Sequence, residues 1–251
     1  MGGDRLQTME ERLLQQYFQG NEQAMADARK RLAANEPLAY ILGETVFFDE
    51  YYYVTPATLI PRPDTERAVE WCLKKLPTGG KLLDLCCGSG CIGISTLVHS
   101  KDTTAVSVDI SEDALVVAKR NADRNGVADR IRFLQGDLTK DEVLEDDWCF
   151  DVIVSNPPYV KTAVVDTLEP ECGYEPRIAF DGGEDGMIFY YAIVTRFAKH
   201  LKKDGCFVFE IGYDQREDMM RLADEKGYAC QIYKDYGKND RVAILRPYGK
   251  E

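Results

Sequence analysis

The run from Asp151 to Ser155, apolar at its centre and fit for a buried strand, leads straight into Asn156-Pro157-Pro158-Tyr159. Proline fixes its own φ, lacks an N–H, and forces the residue before it into extended geometry. The segment is therefore stiff, and its carbonyls have few local donors. With the side-chain oxygen of Asn156 they make a fixed set of acceptors, and Tyr159 adds a flat ring. Such a set suits a planar substrate bearing an NH2 group, either a carboxamide or an aminopurine edge. A simple strand end needs only a glycine, so it leaves the amide and the paired prolines unexplained.

A second candidate lies upstream in "LLDLCCGSGCIG". Gly88 and Gly90 remove side chains where a strand gives way to a helix, so a ligand can approach the backbone closely. The helix start offers free N–H groups. Asp109 ends the next apolar run, where a carboxylate can accept hydrogen bonds from two ribose hydroxyls. Gly88 to Gly93 also fits G-x-G-x-x-G, with Asp109 at about the ~20-residue distance of a dinucleotide site. These residues point to an adenosine-bearing ligand and leave its identity open.

The elements that must carry these residues follow from periodicity. Residues 4–34 read as two short helices broken near Gly20-Asn21, and "ETVFFDEYYYVTP" as a hairpin around Asp49-Glu50. Pro61-Arg62-Pro63 makes a rigid turn, with Asp64 or Thr65 expected to cap the helix that follows. From Lys81 onward apolar runs alternate with helical stretches near 91–99, 111–125, 186–202 and 214–226. This predicts an α/β fold with a doubly wound, mainly parallel sheet and helices on both faces. The tail predicts two closing strands around a turn at Gly237 to Asp240. Ligands of such sheets sit beyond the strand carboxyl ends, near the switch in strand order.

With 251 residues, 45% of them hydrophobic, the chain can fill one large core with a small appendage. It has neither an apolar run of membrane-spanning length nor an apolar signal segment near Met1, which predicts a soluble cytoplasmic protein. The net charge of −12 argues against a broad nucleic-acid footprint. Of eight cysteines, several fall in apolar runs, as reduced buried thiols do. Cys87 and Cys91 lack a second pair, and His99 and His200 are the only histidines, so no metal is expected.

Together these motifs resemble a methyltransferase that uses S-adenosylmethionine on a planar nitrogen. Within that class the chain resembles the HemK/PrmC family, the release-factor glutamine N5-methyltransferases. The match spans about Glu36 to Pro247 through "EPLAYILGE", "VTPATLIPRPDTE", "LDLCCGSGCIGIS", "VSVDIS", "DVIVSNPPYV", "EPRIAFDGGEDG", "FEIGYDQ" and "DYGKNDRV". The resemblance implies a seven-stranded methyltransferase sheet over 64–251, a shortened helical cap over 1–44, and a β-hairpin and connector over 45–63. It implies cofactor contacts at Asp84, Cys86, Cys87, Gly88, Ser89, Gly90, Asp109, Ile110, Asp137, Leu138 and Asn156. Asn156, Pro157 and Tyr159 take the catalytic places, and Pro158, Arg62 and Thr65 join them around the substrate.

The implied partner is a class 1 peptide chain release factor and the product S-adenosylhomocysteine, without direct nucleic-acid or membrane contact; the oligomeric state is left open, a monomer being expected. Two positions depart from the family pattern: Cys86 stands where a loop glycine is usual, and Leu138 where an aromatic residue is common. The N-terminal helical part is also roughly half the usual length. An adenine-N6 methyltransferase shares the Asn-Pro-Pro-Tyr chemistry. An NAD-binding oxidoreductase shares only the glycine spacing, and a non-catalytic cofactor-binding module is the third alternative.

Overall fold

The computed structural model describes residues 3–249, with side chains from residue 9. Helices α1 (Gly3–Tyr17), α2 (Glu22–Ala33) and α3 (Leu38–Leu42) come first, followed by strands β1 (Glu44–Phe47) and β2 (Glu50–Tyr53). Asn21 caps α2, its side chain accepting from the Ala24 N–H at 3.0 Å. The hairpin turn falls at Phe48-Asp49, one residue earlier than expected. Both residues adopt positive φ (51° and 69°), the twist that a two-residue connection demands.

Helix α4 spans Glu66–Lys75 and opens from a 3-10 turn at Pro63–Thr65. Neither Asp64 nor Thr65 caps it through its side chain. Thr65 is held instead by the neighbouring Asn156, as described below. Strand β3 (Lys81–Leu85) leads into α5 (Cys91–Val98), β4 (Thr104–Asp109) into α6 (Glu112–Arg124), then β5 (Ile131–Gln135) and β6 (Phe150–Ser155). After the short α7 (Thr162–Val165) come α8 (Ile188–Phe197), β7 (Leu201–Glu210), α9 (Arg216–Lys226), β8 (Tyr228–Lys234) and β9 (Asp240–Pro247). The closing turn therefore occupies 235–239.

Seven strands form one sheet in the order β5-β4-β3-β6-β7-β9-β8. The first five run parallel, and β9 enters antiparallel between β7 and β8. Side chains alternate across this sheet as the strand period requires. Leu83, Leu85, Ile153, Phe207 and Phe209 face one core, filled from α8 and α9 by Tyr190, Ile193 and Leu222. Leu82, Val152, Val154 and Val208 face the other, filled by α4, α5 and the hairpin through Val69, Ile94, Phe47 and Tyr52. Such runs, apolar on both faces, are what a covered parallel sheet needs.

The hairpin locks onto the second core through Tyr52, whose hydroxyl lies 2.6 Å from Ser95 Oγ. The N-terminal helices hold a separate small cluster of Leu14, Ala28 and Ile41. They connect to the rest through Tyr40, whose hydroxyl donates to the Thr58 carbonyl at 2.6 Å, and through Tyr174, which donates to the Ala34 carbonyl at 2.7 Å. Among the described residues no helix is long and apolar enough to cross a membrane.

Candidate active site

The chain leaves β3, moves outward through β4 and β5, and returns on the other side of β3 as β6. The carboxyl ends of β3 and β6 therefore flank the switch point. After Leu85 the backbone turns through Cys86, Gly88 and Gly90, all at positive φ (58°, 54° and 79°). A Cβ at Gly90 would stand 2.9 Å from Ile94 Cδ1 and 3.2 Å from Ala118 Cβ, so only glycine fits. At Gly88, nothing lies within 4 Å of where a Cβ would stand, and any side chain there would take ligand space.

Asp109, at the end of β4, holds this loop. Its Oδ2 accepts the Gly88 N–H at 2.8 Å and its Oδ1 the Ser111 N–H at 2.9 Å. Burial raises its pKa, against the pull of the N–H groups of Ser111, Gly88 and Ile110. Each carboxylate oxygen keeps a further lone pair for a ligand hydroxyl. Asp84 lies beneath the loop, fully buried, with Oδ2 accepting the Gly93 N–H at 3.0 Å and Oδ1 unpaired. Burial pushes its pKa up to about 7. Burial likewise raises the thiols of Cys86 and Cys87, and that of Cys91 to about 12, which leaves them unreactive.

On the facing rim, Asn156 Nδ2 donates to Thr65 Oγ1 at 3.3 Å. Among the described residues, neither Asn156 Oδ1 nor the Pro157 carbonyl has a hydrogen-bond partner. Tyr159 turns away from the rim: its ring packs on the core and its hydroxyl donates to Glu210 Oε1 at 3.1 Å. The backbone of the motif is pinned by the loop at 180–186. The Val160 N–H donates to the Phe180 carbonyl and the Gly182 N–H to the Val160 carbonyl, both at 2.8 Å. A Cβ at Gly186 would meet the Tyr159 carbonyl at 2.4 Å, and one at Gly182 the Pro158 carbonyl at 2.8 Å. The glycines of "DGGEDG" therefore let two loops touch backbone to backbone.

Glu210, at the end of β7, is fully buried, and burial raises its pKa against the pull of the Thr65 hydroxyl, Arg241 and Tyr159. Arg241 on β9 completes the cluster, with Nε 3.1 Å from Asp235, Nη1 donating to the Ile211 carbonyl at 3.2 Å and Nη2 3.3 Å from Asp64.

Between the two rims lies a cavity of about 430 Å³, a size suited to a nucleoside with an amino-acid tail. Cys86, Cys87, Gly88, Ser89, Asp109 and Ile110 line it on the loop side, and Asp137 and Leu138 beyond β5. Asn156, Pro158, Arg62 and Thr65 line the opposite wall. Asp84, Gly90, Pro157 and Tyr159 are not among the lining residues. Asp84 and Gly90 shape the loop from behind, and Tyr159 lies behind the rim on Glu210. The Asp137 carboxylate is engaged locally, Oδ1 by Thr139 and Oδ2 by Lys140 at 2.9 Å, and these partners hold its pKa down at about 2. Arg62 pairs with Glu175, which also accepts the Ile60 N–H at 2.8 Å.

Sequence reasoning missed the apolar wall of Leu59, Ile178, Ile188 and Phe189. It also gave no role to Glu210 or Arg241. The signal for Glu210 was a carboxylate ending a run of buried apolar residues, which is rare without a reason.

Sheet order, switch-point cavity and Asn-Pro-Pro-Tyr rim define an α/β methyltransferase. A model of the Methyltransferase small domain family matches residues 65–169. The chain is 41% identical over 214 residues to the release factor glutamine methyltransferase of Geobacter sulfurreducens, covering 84% of this chain and 74% of that one. It is 36% identical to the enzyme of the same name from Clostridium botulinum, covering 93% and 81%. The chain belongs to the release factor glutamine methyltransferase family, which bears out the resemblance in its motifs.

Solved structures agree on the fold. A methyltransferase from Pyrococcus furiosus superposes with a TM-score of 0.59 at 20% identity, covering 88% of this chain and 98% of that one. The hMettl16 catalytic domain, in complex with MAT2A 3'UTR hairpin 6, gives 0.64 at 14% identity, covering 80% and 76%.

Proposed function

We propose that this chain transfers a methyl group from S-adenosylmethionine to the side-chain amide nitrogen, N5, of the glutamine in the Gly-Gly-Gln motif of class 1 peptide chain release factors. One observation carries the reading. Asn156 has its NH2 committed to Thr65 and its oxygen without a partner, on a cavity whose other wall is the Asp109-braced glycine loop.

The residues fit the cofactor. Asp109 would hold the ribose hydroxyls, Gly88 and Ser89 would leave room for the amino-acid tail, and Ile110 and Leu138 would offer apolar surface to the adenine. When bound, S-adenosylmethionine supplies a methyl group on a positively charged sulfur. The Asp109 carboxylate, which lines the cavity and has no cationic partner among the described residues, favours a cation there.

A primary amide nitrogen is a poor nucleophile because its lone pair is delocalised into the carbonyl. Asn156 Oδ1 and the Pro157 carbonyl accept its two hydrogens and fix its orientation. A well-held geometry of this kind is worth roughly 7–11 kcal/mol of barrier. As positive charge develops on nitrogen, each acceptor adds about 1.5–3 kcal/mol. The proton leaves after transfer, so no side-chain base is required. His99 is held by Glu50 at 2.7 Å and His200 by the Trp148 carbonyl at 2.8 Å, and neither lines the cavity.

The reaction belongs in the cytoplasm, where release factors work. The test is mass spectrometry of the Gly-Gly-Gln peptide of a release factor after incubation with enzyme and S-adenosylmethionine. A gain of about 14 Da on the glutamine, one CH2, supports the reading, and an unmodified glutamine overturns it.

A further inference from the structure

Glu210 is buried, titratable and unused by the reaction described above, and its Oε2 has no hydrogen-bond partner. Tyr159, the last residue of the Asn-Pro-Pro-Tyr motif, donates to its other oxygen at 3.1 Å. Thr65, itself buried, accepts from Asn156, the first residue of the motif, at 3.3 Å. An oxygen that accepts from the Asn156 amide keeps its own proton to donate, and the Thr65 hydroxyl is among the groups that pull on Glu210's ionisation. The Thr65 hydroxyl and the Glu210 carboxylate thus face each other behind the rim, between Asn156 on one side and Tyr159 on the other.

We propose that Glu210 is a positioning residue that fixes the orientation of the Asn156 carboxamide through the Thr65 hydroxyl, and so keeps Asn156 Oδ1 toward the substrate amine. The inference rests on the proposed glutamine methylation for its kinetic consequence only. An asparagine side chain can flip by half a turn at little steric cost, exchanging oxygen for NH2. A flipped Asn156 presents donors to a substrate NH2 and repels it. A carboxylate accepts only, so the Thr65 proton must face Glu210. The lone pair of Thr65 then faces Asn156, which selects its NH2. Since Tyr159 ends on the same carboxylate, both ends of the motif share one anchor.

Thr65→Val, Glu210→Ala and their combination test this, with Glu210→Gln as the variant that keeps the side-chain volume. Each single substitution is expected to lower kcat for peptide methylation by about tenfold, the size of one misplaced hydrogen bond, with S-adenosylhomocysteine affinity within about twofold of wild type. The double variant is expected to lose no more than the worse single variant, because both act on one chain of hydrogen bonds. Thr65→Ser recovers most of what Thr65→Val loses. Independent, multiplying losses would overturn the proposal.

A second readout needs no substrate. The side-chain NH2 resonances of Asn156, assigned by their loss in Asn156→Ala, are expected to shift in Glu210→Ala and Glu210→Gln. Unshifted resonances overturn the positioning role even where wild type methylates normally. Shifted resonances in the Glu210 variants, together with a wild type that leaves glutamine unmodified, overturn the proposed function alone.

Discussion

Asp109 Oδ2 accepts the Gly88 N–H at 2.8 Å, so the acid read from the sequence as a ribose holder also braces the glycine loop across the cavity from Asn156. The two roles predict a compound defect. Asp109→Ala is expected to weaken S-adenosylhomocysteine binding by at least about tenfold and to lower stability by roughly 1–3 kcal/mol, because the Gly88 and Ser111 N–H groups lose their acceptor. Calorimetry and urea denaturation measure the two effects. Unchanged affinity would mean the ribose sits elsewhere.

Asn156→Ala separates binding from chemistry in the opposite sense. Removing one acceptor aimed at the reacting nitrogen is expected to cut single-turnover methyl transfer by roughly 100-fold. Cofactor affinity should stay within about twofold, since Asn156 faces the glycine loop from the opposite wall. A variant that still turns over at the wild-type rate would remove Asn156 from the mechanism.

Asp84 predicts a pH dependence with a definite sign. Its pKa rises from an ordinary 3.8 to about 7 on folding. Between those values the folded protein holds a proton that the unfolded chain releases. Its contribution to stability is thus full below about pH 4 and is lost as pH rises to about 7, by at most about 1.4 kcal/mol per pH unit. Asp84→Asn is expected to gain stability relative to wild type from pH 5 to 7, with a flat difference above about pH 8. Denaturant midpoints across that range test it. A difference independent of pH would show that the carboxyl stays ionised in the fold.

Cys86 occupies a left-handed position, φ 58°, a conformation that favours glycine. Cys86→Gly exchanges relief of backbone strain for lost packing and is expected to stay within about 1 kcal/mol of wild type. Cys86→Val places a β-branched residue there and is expected to cost at least about 2 kcal/mol. Thermal denaturation of the pair gives the ranking, and equal stabilities would contradict the assigned backbone conformation.

What the sequence made legible was periodic or local. Alternating runs such as Lys81–Leu85 and Phe150–Ser155 announced strands, and Gly88, Asp109 and Asn156 fell at strand ends, where ligands collect. The hairpin turn was misplaced by one residue because the preference for Asp-Glu as a turn competed with the need for two positive φ values, which Phe48 meets against its own propensity. Tyr159 was read as a face for substrate because an aromatic ring beside two prolines says nothing about which way it points. Its partner, Glu210, lies 51 residues downstream. The cluster of Thr65, Tyr159, Glu210 and Arg241 joins four distant segments, and only strand order brings them together.

The antiparallel entry of β9 between β7 and β8 has a consequence for how such a protein is born. During synthesis β7 waits with a bare flank until the segment Asp240–Pro247 emerges and slides in beside it. Arg241 arrives on that final insert, later than any residue that touches the cavity. A ribosome stalled just before Asp240 would leave a polypeptide whose pocket walls exist and whose keystone does not.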